Sequence, residues 1–162
     1  MNFKTLRILL PIIACAVPLL VQAQAPNPKI WEPLRHQVYY NKKMITKAPD
    51  VLLVWTYQAA TEESRRKRIE ACRVYDVEKS AKYKDFHHET VLWEIDCANR
   101  RLRIGEIIDF DAGGKVLDRS RYEAADWERI FSGTGGEALY QKACFPQAKS
   151  PKKKKEPFGR GK

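Results

Sequence analysis

Along residues 51–60, "VLLVWTYQAA", apolar side chains recur at every second position. Val51, Leu53, Trp55, Tyr57 and Ala59 share one face, and Thr56 and Gln58 lie on the other. That period belongs to a strand, because successive Cβ atoms point to opposite sides of a pleated backbone. Residues 89–97 repeat it, with Val91, Trp93, Ile95 and Cys97 against Leu92, Glu94 and Asp96. Past Ala98-Asn99 the period resumes. Leu102, Ile104, Ile108 and Phe110 face one way, Arg101, Arg103 and Asp109 the other, and Gly105 marks a bulge. "DAGGK" (111–115) reads as a hairpin turn with glycines for positive φ, and Val116-Leu117 begin a return strand. Trp127 and Ile130 close the sheet region.

Weaker signals flank these strands. "HQVYYN" (36–41) has the β-branched and aromatic content of a short strand, and Met44 to Thr46 form a second short candidate after a turn at Asn41-Lys42-Lys43. Residues 24–36 carry Pro26, Pro28 and Pro33 and read as a linker docked through Trp31. Residues 61–85 are dense in Glu, Lys and Arg, and Ile69, Cys72 and Val77 are only loosely helical in spacing. The expectation there is a mobile basic insertion with one helical turn, its run Arg65 to Arg68 forming a solvated face. In "GTGGEALYQKAC", Thr134 and Glu137 have capping-box spacing, and Leu139, Tyr140 and Ala143 give an apolar face. A helix from Gly136 to Cys144, halted by Phe145-Pro146, follows. The class is α+β: a small antiparallel sheet of about five to six strands, a C-terminal helix packed on one face, and a disulfide pinning the two.

The N-terminus sets the compartment. Lys4 and Arg7 precede an apolar run from Ile8 to Val21, and Val21-Gln22-Ala23 fits a small-x-small cleavage site. The run is about 14 residues, against roughly 20 for a membrane-spanning helix. The expected organisation is a signal peptide over 1–23, a domain over 24–148 and a tail over 149–162. A competing reading is lipid anchoring at Cys15, since Ile12-Ile13-Ala14-Cys15 has the form of a lipobox. Either route exports the chain, to the periplasm or to the outer membrane and cell surface.

The formal net charge of +10 is carried mostly outside the expected domain. The tail "KSPKKKKEPFGRGK" holds seven basic residues and one acid, and residues 24–148 hold 21 basic and 19 acidic. The folded part is nearly balanced, which removes the case for a specific nucleic-acid binder. The tail is too polar to offset its ordering entropy. Lys152, Lys153, Lys154 and Lys155 are its candidate polyanion contacts.

Cysteine chemistry narrows further. Cys72, Cys97 and Cys144 remain after the signal segment. In an oxidising compartment the two in regular structure, Cys97 at a strand end and Cys144 at a helix end, are the natural pair. Their bridge closes 47 residues and contributes about 4 kcal/mol on the chain-entropy model. Cys72 is left as a free thiol or a bridge between two molecules. Zinc is disfavoured because no closely spaced Cys/His pairs exist, and His87-His88 in a regular strand would point to opposite faces. No catalytic constellation emerges: "FSGTGG" puts its serine before a helix cap, and Asp109 and Asp111 flank a hairpin turn. No cofactor is expected; haem, with His36, His87 or His88 as ligand, is the weakest option retained. Arg101 and Arg103 either pair with Glu94 and Asp96 across the hairpin or form a sheet-face contact for a ligand.

The segments "VLLVWTYQ", "VLWEIDCANRRLR", "DFDAGGKVL", "DWERI" and the terminal helix ending in Cys144 resemble the surface-adhesin protein E family of Gram-negative bacteria. The resemblance runs from about Trp31 to Cys144, and Trp-Glu-Ile-Asp-Cys-Ala-x-Arg-Arg is its most specific part. It implies a small antiparallel sheet with a C-terminal helix, and pairing of the cysteine after Asp96 with the one in that helix. It also implies adhesion to host extracellular-matrix proteins, and haem binding in some members. Phe131-Ser132-Gly133 departs from the family's Pro-Gly-Ser turn, and the 61–85 insertion and lysine tail are idiosyncratic. The expected function is an exported, non-enzymatic binding module for a macromolecular ligand. The alternative is an envelope-associated structural protein that binds polyanions or lipid phosphate through its tail. A homodimer, through Cys72 or edge strands, is compatible with both.

Overall fold

A computed structural model describes residues 26–145. The expected signal segment with Cys15 and the tail with Lys152 to Lys155 lie outside the described residues. In chain order the elements are β1 (Trp31–Arg35), β2 (Val38–Asn41), β3 (Ile45–Ala48), β4 (Val51–Ala59), α1 (Glu62–Arg73), α2 (Val77–Lys82), a 3₁₀ turn (Tyr83–Asp85), β5 (Phe86–Asp96), β6 (Arg101–Asp111), β7 (Val116–Arg121), β8 (Glu128–Arg129) and α3 (Gly135–Cys144). The strands form one antiparallel sheet in the order β1-β2-β4-β5-β6-β7, with β3 beside β4 and β8 beside β6. The α+β expectation, with a helix pinned on the sheet, is what the chain builds.

Three expectations are corrected. Residues 31–35 are not linker but the edge strand β1, where Pro33 is tolerated because only one side of the strand is paired. The turn into β2 uses His36 and Gln37, both at positive φ (45° and 64°), which matches the right-handed twist of a two-residue hairpin. Residues 61–85 form two helices and a 3₁₀ turn rather than an irregular insertion with a single helical turn. Thr61 and Ser64 make a reciprocal cap for α1, and Asp76 caps α2. The missing apolar partners come from outside the helices. Cys72, Tyr83 and Phe86 form a buried cluster with Ile69 and Leu117 packed on it.

The third correction concerns the faces, and register explains it. Opposed residues in an antiparallel ladder share a face. Trp93 opposes both Val54 and Ile104, but Leu92 opposes Glu106, so Gly105 is an extra residue in β6. One extra residue flips everything beyond it. Leu102 and Ile104 lie on the face of Val54, Trp93 and Ile95, whereas Ile108 and Phe110 fall on the opposite face. Asp109 moves under the helices. A second bulge places one extra residue, His87, between the pairs Phe86↔Asp111 and His88↔Phe110.

Both sets of helices cover the same sheet face. At one end α3 packs Leu139, Tyr140 and Ala143 onto Val54, Ile95, Leu102 and Ile130. Cys97 at the end of β5 is bonded to Cys144 at the end of α3, with Cα atoms 5.7 Å apart. Thr134 caps α3, and the Glu137 carboxylate accepts from the Gly133 N–H at 2.7 Å. At the other end α1 and the 3₁₀ turn lie over β5 and β6, and Lys79 of α2 pairs with Asp118 of β7 at 2.7 Å.

Candidate functional site

Because α1 and α3 cover opposite ends of one face, a groove of about 470 Å³ is left between them. Its floor is Thr56 of β4 with Val91 and Trp93 of β5; Leu34 and Val38 form one wall and Leu139 another. The α3 side of the groove is lined by Gly133, Gly135 and Gly136. A Cβ on Gly136 would meet Leu102 Cδ2 at 2.7 Å, so the glycine lets the helix start sit close against the sheet. A second hollow of about 350 Å³ continues beneath α1 and shares Gln58 and Glu89 with the first.

The polar groups of the floor are already paired. Trp93 Nε1 donates to Thr56 Oγ1 at 3.0 Å, and Arg68 Nη2 donates to Glu89 Oε2 at 2.7 Å. What the groove presents is mainly apolar surface, with the Arg68–Glu89 pair at the α1 end and Arg35, His36 and Gln58 also in its lining. That composition suits apolar side chains of a docked segment better than a small polar metabolite. Alternation could have suggested Val91 and Trp93 as floor residues. Leu34, lying in a Pro-containing segment read as linker, gave no such signal.

The run Arg65 to Arg68, expected as a solvated face, is exposed only at Arg66 and Lys67. Arg65 Nε donates to the Phe86 carbonyl at 3.1 Å. Arg68 spans from Glu89 to Asp109, whose carboxylate is 3.5 Å from the guanidinium. Asp109 is only 2% exposed and accepts the Tyr83 hydroxyl hydrogen at 2.7 Å. Burial raises the Asp109 carboxyl above its ordinary value, against the pull of Tyr83 and Arg68.

Arg101 and Arg103 are engaged on the opposite, open face. Register sets Arg101 opposite Asp96 and Arg103 opposite Glu94, and the ion pairs form at 3.0 and 2.8 Å. The Trp127 ring lies over both guanidiniums, 5.7 and 4.6 Å from its centroid. Of the two readings the sequence left open for these arginines, the cross-hairpin pairing is the one formed. Burial alone would raise Glu94, yet hydrogen bonds from Lys47 and Arg103 hold it below its ordinary value of 4.5. A carboxyl lowered by folding stabilises above its unfolded pKa, and that contribution disappears as pH falls through the folded one. Glu94→Gln is accordingly expected to shrink the fall in Tm between roughly pH 5 and pH 3, measured by circular dichroism melts. An unchanged acid limb in the variant would refute that assignment.

Cys72 is a free cysteine, 3% exposed, with its Sγ 3.5 Å from the Tyr75 hydroxyl. Burial at that level does not present the sulfur to a second chain, which argues against an intermolecular bridge. The three histidines occupy two places, with His87 and His88 side by side. His36 sits at the groove margin, while His87 and His88 are on β5. Burial and the neighbouring His87 push His88 down to about 4. Among the described residues no cluster of three or more metal-ligating side chains occurs, and no helix is long and apolar enough to cross a membrane.

Comparison with known proteins places this architecture. No curated protein and no solved structure matches the chain. The family model described as surface-adhesin protein E matches residues 29–145, from just before β1 to just after α3. The strands, the helix-covered face and the disulfide described above all lie inside that match, and the chain belongs to the surface-adhesin protein E family.

Proposed function

We propose that this protein is an exported, non-enzymatic binding module that adheres to host extracellular-matrix proteins, and that the groove between α1 and α3 receives the bound segment. The observation that carries this reading is the groove itself: open apolar surface on Leu34, Val38, Val91 and Trp93, with the Trp93 indole N–H of its floor already bonded to Thr56. Family membership supplies the adhesive role. The open-face arginines are a poorer grip, since Asp96 and Glu94 already occupy them.

A second reading rests on the tail, where seven basic residues accompany one acid. In it the protein is held at the envelope by polyanions or lipid phosphate contacting Lys152 to Lys155, by non-specific charge neutralisation. One experiment separates the two. The full chain, a form lacking residues 149–162, and Leu34→Glu/Val38→Glu are tested on immobilised matrix proteins at two salt concentrations. The groove reading expects the double substitution to weaken binding by about tenfold or more, a loss of roughly 1.4 kcal/mol, and the truncation to retain it. Loss on truncation, with strong salt dependence and no effect of the double substitution, would replace it with the tail reading.

A further inference from the structure

We propose that His87 and His88 together form a binding site for a divalent first-row transition metal, of the kind imidazole favours: Zn²⁺, Ni²⁺ or Cu²⁺. In a regular strand these neighbours would point apart and could not share an ion. The extra residue at His87 removes that obstacle, because Phe86 still pairs with Asp111 while His88 pairs with Phe110. The two side chains are brought together, with their Nδ1 atoms 3.1 Å apart. Two nitrogens each about 2.0–2.1 Å from one ion would lie about 2.9 Å apart at a right angle and about 3.4 Å apart in a tetrahedron. The observed separation falls between those values. Both donors are therefore within a few tenths of an ångström of chelating spacing, without an ion to draw them there.

The pair is also held. His88 is sandwiched between the rings of Tyr57 and Phe110, each 4.7 Å from its centroid and inclined by only 24° and 10°. Turning His88 away would break both stacks. The His87 carbonyl accepts the Ala60 N–H at 2.8 Å, which fixes the backbone of the bulge. The two imidazole planes stand at 89°, with ring centroids 5.3 Å apart, so the rings meet edge to face and are not stacked. Such prior ordering removes entropy that a flexible His-His segment would lose on binding. Two protein donors leave the remaining coordination positions to water or to a group from outside. The site thus suits an exchangeable cation, not a structural one, and hard cations such as Mg²⁺ or Ca²⁺ are poor candidates because they want oxygen.

The same 3.1 Å contact without metal is a hydrogen bond in which one Nδ1–H donates to the other ring. Titration distinguishes the two. The untagged full chain is titrated calorimetrically with ZnCl₂ and with NiCl₂, alongside His87→Ala and the control His36→Ala. One ion per chain is expected, with affinity reduced about tenfold or more in His87→Ala and unchanged in His36→Ala. In parallel, Cu²⁺ electron paramagnetic resonance on the wild-type chain should show hyperfine coupling to two nitrogens, which does not depend on any variant folding. Absence of saturable binding, equal affinity in His87→Ala, or coupling to fewer than two nitrogens would show that the pair shares only a proton. The inference stands apart from the adhesive role, since neither measurement involves a matrix protein.

Discussion

Breaking the Cys97–Cys144 bridge is expected to lower stability by about 4 kcal/mol, the entropy released to an unfolded chain no longer closed over 47 residues. For a domain of this size that corresponds to a fall in Tm of roughly 15 °C. The native state also loses a clamp, because α3 rests on the sheet through Leu139, Tyr140 and Ala143 and through the Tyr140 hydroxyl, which donates to the Cys97 carbonyl at 3.2 Å. Thermal melts with and without reductant, and of Cys97→Ser/Cys144→Ser, measure the effect. Agreement between reduced protein and double variant is required, since both remove one covalent link. A loss below about 1 kcal/mol would mean that packing alone docks α3 and that the unfolded chain is already compact there.

Arg68→Met is expected to cost about 2 kcal/mol, and the cost should depend on pH in an unusual direction. Losing one partner of a fully buried pair typically costs 3–5 kcal/mol or so. Arg68 is itself 38% exposed, so water screens part of the interaction. Asp109 already lies above its ordinary value of 3.8 because of burial, and removing the guanidinium raises it further. A carboxyl whose folded pKa exceeds its unfolded one binds its proton more tightly when folded. Stability from that group is therefore greatest at low pH and is lost as pH rises through the folded value. The deficit of Arg68→Met relative to wild type should shrink between roughly pH 7 and pH 5, and adding Asp109→Asn should recover most of it. Urea unfolding at the two pH values provides the check. A deficit that grows on acidification would place the destabilisation elsewhere.

The elements that were legible in the sequence are those whose local pattern and tertiary role agree. β4 and β5 are strands where their period indicates, yet the helix-covered face of β4 carries Val54 and Thr56, on the side of Thr56 and Gln58 and not of Leu53 and Trp55, because both faces of this central strand carry apolar residues. The Thr134-x-x-Glu137 spacing marks the start of α3, and an exported chain with two cysteines at element ends implies their bridge. What was illegible depends on residues distant in sequence. α1 carries few apolar positions, and its cover comes from Tyr83 and Phe86, which follow it in the chain. The groove is a gap between two helices, and no local pattern encodes a gap. Gly105 marks its bulge in the sequence, yet the change of face beyond it shows only in the ladder: Asp109, beside a turn in the sequence, is the buried acid beneath Arg68. His87 gave no sign at all of its bulge, because neither glycine nor proline stands near it.

The bridge between β5 and α3 also decides how far the molecule can be drawn out. In the adhesive role proposed above, tension would run along the backbone. Pulled from the side of residue 26, the load would enter at β1, an edge strand whose only ladder is with β2 and whose other ties include the side chains of Arg35, bonded to the Gly133 carbonyl, and Glu32, paired with Lys142. Between Cys97 and Cys144 the force passes through a single sulfur–sulfur bond, so β6, β7, β8 and most of α3 bear none of it. At about 3.4 Å per extended residue, some 160 Å of contour is withheld from stretching. Under such a load the domain would extend as a short tether with a covalent stop, and a reducing environment would lengthen it.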